Sequence, residues 1–159
     1  MGYMLQPLLS IRIMRQDRAS GELTAARQAV RTAEETVDKR KHELEEFEKT
    51  KEERRDKIYD AVIGRPVRRE SLDLVREGVL KIDEEGAMRL DGVRRAEVEL
   101  QKRISEAETA RNVYIAASKN RMKIDEHKAV WREEEAREAE FRAESELEDF
   151  TGRKQDLDD

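Results

Sequence analysis

Apolar residues recur along the chain at alternating steps of three and four, in two long series separated by one break. The first runs Leu23, Ala26, Val30, Ala33, Val37, Leu44, Phe47, Ile58 and Ala61, with Arg40, Lys51 and Arg54 filling the skipped positions. The second runs Val75, Val79, Ile82, Val93, Ala96, Leu100, Ala107, Ala110, Tyr114, Ala117, Ile124 and Trp131. Gly86, Arg89, Arg103, Arg121 and Lys128 interrupt it without changing its rhythm. This spacing lays a narrow stripe along one helix face, the pattern of a coiled-coil seam. It predicts two long helices.

The break is Val62-Ile63-Gly64-Arg65-Pro66. Gly64 suits the left-handed residue that ends a helix, and Pro66 pushes Arg65 out of helical geometry. The only other proline, Pro7, fits a first helical turn, where its missing N–H costs nothing. Helix 1 is expected over about residues 7–63, the turn over about 64–70, and helix 2 over about 71–150, with a frayed tail to 159. Ser71 could cap helix 2, while Gly78, Gly86 and Gly92 weaken its early part by about 1 kcal/mol each relative to Ala. Helix 1 would then be about 80 Å long at 1.5 Å per residue.

Neither stripe is buried unless something covers it, and a helix draws most of its stability from such packing. The nearest cover is the other stripe. The predicted fold is all-α: one elongated, antiparallel two-helix coiled-coil hairpin over 1–159, pairing residues whose numbers add to about 130. A dimer through the same stripes is the competing structure, and the Gly64-to-Pro66 break favours the hairpin. The lone tryptophan, in Ile124-Asp125-Glu126-His127-Lys128-Ala129-Val130-Trp131, then falls opposite Tyr3, Met4, Leu5, Leu8 and Leu9. Trp131 reads as a plug at the open end, with His127 against the same cluster.

Composition supports helices over a globule. Of 159 residues 45% are charged, 36% hydrophobic and 4% aromatic, too little apolar area for a compact core. Disorder shares that signature, but here 33 Lys and Arg balance 38 Asp and Glu, as in long helices. A net charge of −5 gives no drive toward nucleic acid. The absence of cysteine excludes disulfide and thiol chemistry. No apolar run approaches the ~20 residues of a membrane span, and the start carries no secretory leader or myristoylation signal. A soluble cytoplasmic protein without direct membrane insertion is expected.

Reactive chemistry finds little footing. Phosphate-binding glycine loops are absent, as is H-E-x-x-H. His127 stands near Asp125, Glu126 and Glu135, but His42 is far away in the paired arrangement, so packing or partner contact outweighs metal binding. No catalytic residue, cofactor site or metal site is assigned. Charge polarity says more. Residues 132–159 hold five basic and twelve acidic residues, whereas residues 51–70 hold seven basic and five acidic. That contrast either serves solubility and helix-dipole compensation or suits the two ends to different protein partners. Tyr59, Val62, Ile63, Val67, Leu72 and Leu74 add apolar groups beside the basic ones near the turn, as a docking surface needs.

Two segments, Pro7 to Ala19 (PLLSIRIMRQDRA) and Glu126 to Glu140 (EHKAVWREEEAREAE), resemble the YscO family of type III secretion systems, which corresponds to FliJ in flagellar export. The resemblance implies a hairpin similar to the coiled coil of the gamma subunit in rotary ATP synthases. It implies a non-enzymatic central stalk whose termini-bearing end enters the hexameric secretion ATPase and promotes its assembly and activity. It further implies a link to the cytoplasmic domain of the export gate, at the cytoplasmic face of the apparatus in the inner membrane. Some members bind export chaperones, so a chaperone-escort adaptor without a stalk role is the alternative, and a self-associating coiled coil a third. Carried onto this chain, the ATPase-facing residues are Leu8, Ile11, Arg12, Arg15, Arg18, His127, Trp131 and Arg132. The gate-facing candidates Arg54, Arg55, Tyr59, Arg65, Arg68 and Arg69 are chosen on charge and apolar neighbours. The chain is expected to act as a monomer.

Overall fold

The two apolar series form two helices, and each buries its stripe against the other. The computed structural model describes residues 2–155, with side chains through residue 148. Helix α1 runs Gln6–Asp60 and α2 runs Arg69–Gln155. Among the described residues there are no strands, and the chain is an all-α, antiparallel helical hairpin. Helix α2 thus reaches five residues past its expected end near 150, and the rest of the tail expected to fray lies outside the described residues.

Between the helices, the Tyr59 carbonyl accepts hydrogen bonds from the amides of Val62 and Ile63 at 2.9 and 3.0 Å. Gly64 then takes φ of 75°, the left-handed conformation that glycine adopts without a Cβ penalty. Helix α2 starts two residues before the expected cap. The Arg68 carbonyl accepts the amides of Ser71 (3.0 Å) and Leu72 (3.4 Å), so Ser71 lies inside the first turn and does not cap it.

Two compact units result, one built from Leu23–Ala110 and the other from the terminal segments, up to Glu22 and from Arg111. In the turn unit, Leu23, Val37, Phe47, Ile82 and Val93 are buried. Burial of such a side chain contributes about 1.5–3 kcal/mol. The pairing is staggered from the expected one: Phe47 meets Gly86, three residues beyond its expected mate, and Ile58 meets Gly78. The first turn of α2 overhangs, because its seam begins only at the half-buried Ser71 and Val75. Arg55, not Arg54, takes the half-buried seam position after Lys51.

In the terminal unit Tyr3, Leu9 and Ala19 are buried, and two polar pairs cross the seam. Arg121 Nη1 donates to Gln16 Oε1 at 2.9 Å, and Lys128 Nζ donates to Gln6 Oε1 at 2.7 Å. Helix α2 continues past Trp131. Its residues 132–148 are exposed except for the half-buried Glu135. Trp131 therefore closes the start of α1 and not the end of α2.

Candidate partner-binding surfaces

In the terminal unit, α1 opens with the Gln6 amide bonded to the Tyr3 carbonyl at 3.0 Å, which turns residues 2–5 back toward α2. Tyr3 enters the seam and is only 8% exposed. Its ring lies 5.3 Å from the Trp131 ring, inclined at 46°, within the range of favourable aromatic pairs. Its hydroxyl is 2.9 Å from His127 Nδ1 and donates to it when the imidazole carries its proton on Nε2. Lys128 Nζ stands 5.8 Å from the Tyr3 ring centre. One buried tyrosine thus gathers His127, Lys128 and Trp131. Met4, expected in this cluster, points outward instead and is 88% exposed, because Tyr3 takes the inward position.

Of the eight residues proposed from sequence for ATPase contact, five line two grooves of this unit. Arg12, Arg15 and Arg18 line one of about 390 Å³, beside Val113 and over the small residues Ala19 and Ala117. Arg18 Nε donates to Glu22 at 3.0 Å, while Arg12 Nε is buried without a hydrogen-bond partner. His127 and Trp131 line the other, of about 560 Å³, with Tyr3, Glu134, Glu135 and Glu138. Leu8 is half-buried, and Ile11 and Arg132 are exposed outside both grooves.

Near the turn, the gate-facing candidates also divide. Arg54 donates to Glu85 at 2.9 Å, and its guanidinium lies 5.6 Å from the Phe47 ring centre, with Arg89 at 5.3 Å. Arg89 also holds Glu85, at 2.9 Å. Hydrogen bonds from Arg54 and then Arg89 push the Glu85 carboxyl below its ordinary range. Arg55 pairs with Asp83, and that hydrogen bond raises its pKa. Both arginines are therefore engaged with α2 in holding the hairpin. Tyr59, Arg65, Arg68 and Arg69 are exposed, as are Ile63 (67%), Val67, Leu72 and Leu74. Val62, expected outside, is half-buried.

The sequence reading missed Glu85 as the acid between Arg54 and Arg89, because the expected pairing sets Arg54 opposite Arg76. Among the described residues, no group of three metal-binding side chains converges, and no helix is long and apolar enough to cross a membrane. Three surfaces stand out among the described residues: an arginine-lined groove, an aromatic–acidic groove and a basic–apolar turn.

No curated protein and no solved structure matches the chain at a significant level. A family model described as type III secretion protein YscO matches residues 5–153, taking in both helices and every candidate residue above. With nearly the whole chain inside that match, the protein belongs to the YscO family of type III secretion proteins.

Proposed function

We propose that this chain is the non-enzymatic central stalk of a type III secretion apparatus. Its termini-bearing end inserts into the hexameric secretion ATPase, promotes its assembly and activity, and the chain links that ATPase to the export gate. The family match over residues 5–153 carries the reading. The grouping of Arg12, Arg15 and Arg18 in one groove supports the choice of end.

The mechanism rests on symmetry. A single asymmetric hairpin inside a six-fold ring cannot touch all six subunits alike. It can bias their nucleotide states only through contacts that differ between those states. The arginine groove supplies directional, charge-assisted donors for such contacts. At the turn between α1 and α2, Arg65, Arg68 and Arg69 beside Ile63 and Val67 form the surface offered to the gate.

The test is stimulation of the cognate ATPase by the purified chain. The wild type should raise turnover and hexamer yield, and Arg12→Glu with Arg15→Glu should reduce both. No stimulation at any concentration would overturn the stalk reading. Tight chaperone capture without any effect on the ATPase would establish the escort reading instead.

A further inference from the structure

We propose that the groove between Tyr3, Trp131 and the turn Glu134–Glu138 docks a basic amphipathic segment of a partner protein, with one arginine side chain entering between rings and carboxylates. The inference rests on the reading above, that the end bearing both termini is a binding end, and adds what that end selects.

Its basis is a seam that outlasts its partner. Past Trp131 the positions at the same 3-4 spacing are the charged Glu135, Glu138 and Arg142, while α1 begins only at Gln6. The face that carries α1 elsewhere in this unit is thus open here, floored by Tyr3 and Trp131 and walled by Glu134, Glu135 and Glu138, with Arg142 at its edge. Its volume, about 560 Å³, is that of a ligand cleft. Its chemistry is one-sided. Residues 132–148 contain eight acidic residues against Arg132, Arg137 and Arg142. Such a surface attracts basic partners and repels acidic ones.

Aromatic faces beside carboxylates favour a flat, weakly hydrated cation, which is a guanidinium. Both halves of that interaction already occur within the chain. Lys128 stands over the Tyr3 ring at 5.8 Å, and Arg142 donates to Glu138 at 3.0 Å. The second pair is solvent-exposed at both partners and is readily exchanged for one from outside. The segment must also be amphipathic, because Met4, 88% exposed, and Leu5 line the groove beside the charges.

Trp131 is the only tryptophan, so its fluorescence in the full chain reports on the groove. The probe is acetyl-Leu-Arg-Leu-amide, compared with the peptide carrying neutral citrulline in place of arginine. A saturable response is expected, weakened roughly tenfold for citrulline and again for E134Q/E138Q. Equal affinity for the two peptides, unchanged affinity in E134Q/E138Q, or no saturable response up to about 20 mM would overturn the proposal. The peptide comparison uses the wild-type chain and does not depend on folding of the variant. ATPase stimulation is measured separately. Stimulation without arginine selectivity sinks the groove alone, whereas arginine selectivity without stimulation sinks the stalk reading and leaves the groove.

Discussion

The Phe47 ring occupies the space that a side chain at Gly86 would need: a Cβ built there would stand 2.9 Å from Phe47 Cε1. Helix propensity alone says that Gly86→Ala should stabilise α2 by about 1 kcal/mol. The ring cannot easily yield, being buried and flanked by the guanidinium groups of Arg54 and Arg89. Overpacking of this kind costs about 1–3 kcal/mol, so G86A should be destabilising on balance. G92A meets nothing within 4 Å and should stabilise by nearly the full propensity gain. G78A, 3.1 Å from the flexible end of Ile58, should fall between them. Thermal midpoints of the three variants check the order; a G86A protein as stable as G92A would refute the packing argument.

Tyr3 ties the start of α1 to α2, and its loss should be felt locally. Y3F removes the hydroxyl bonded to His127 and should cost about 1 kcal/mol of local opening energy. W131A removes the half-buried ring beneath Tyr3 and should cost about 2 kcal/mol. Both effects belong to the low-stability end of the molecule, where opening does not require global unfolding. Hydrogen exchange should quicken at the first turns of α1 and stay unchanged around Phe47. Uniform quickening across both helices would show that the contact is not local.

The seam was legible wherever apolar residues marked it. Val37, Phe47, Ile82 and Val93 stand in the 3-4 series and are buried, and Gly64 takes the left-handed turn its position suggested. Charged seam positions were not legible, because either Arg54 or Arg55 satisfies the rhythm within one residue. Only the packed structure shows Arg55 in the seam and Arg54 clasping Phe47. Inter-helix register was also hidden. A stripe fixes which face is buried but not how far two stripes slide, so Phe47 and Ile58 meet residues three and six positions beyond their expected mates. The arginine trio of the candidate site follows from its three-residue spacing; its floor of Ala19 and Ala117 needed the register.

Gln16 and Arg121 occupy facing seam positions in the terminal unit, bonded at 2.9 Å. A polar pair in a coiled-coil seam fixes register at the expense of stability. Replacing both with leucine should raise stability by about 1 kcal/mol, since the pair is half-buried and apolar groups would pack in its place. Arg121→Ala alone leaves Gln16 unpaired and deprives Asp125 of its partner at 3.2 Å, so it should lower stability by about 1 kcal/mol. Opposite signs for Q16L/R121L and R121A, measured by denaturant midpoint, are the expected result. If the double leucine variant is also destabilised, the pair contributes net stability and not only register.

Acid should weaken the turn unit through Glu85. Hydrogen bonds from Arg54 and Arg89 hold this carboxyl below its ordinary value of 4.5, and Glu46 and Glu53 are lowered by Lys49 and Lys57. A carboxylate whose pKa falls on folding contributes stability that is fully present above its unfolded value. That stability is lost as pH drops through the folded value. Lys41 works in the opposite sense: its hydrogen bond to Glu97 raises it above 10.5, so its contribution is present below that value and lost as pH rises past the folded one. Thermal midpoints should therefore be flat at neutral pH and fall on the acid side. E85Q should melt lower than wild type at about pH 7, and the gap should close as pH falls through the folded value of the wild-type carboxyl. These groups are exposed, so salt should narrow the same gap at neutral pH. A gap that persists undiminished into acid would mean that Glu85 acts through packing and not through charge.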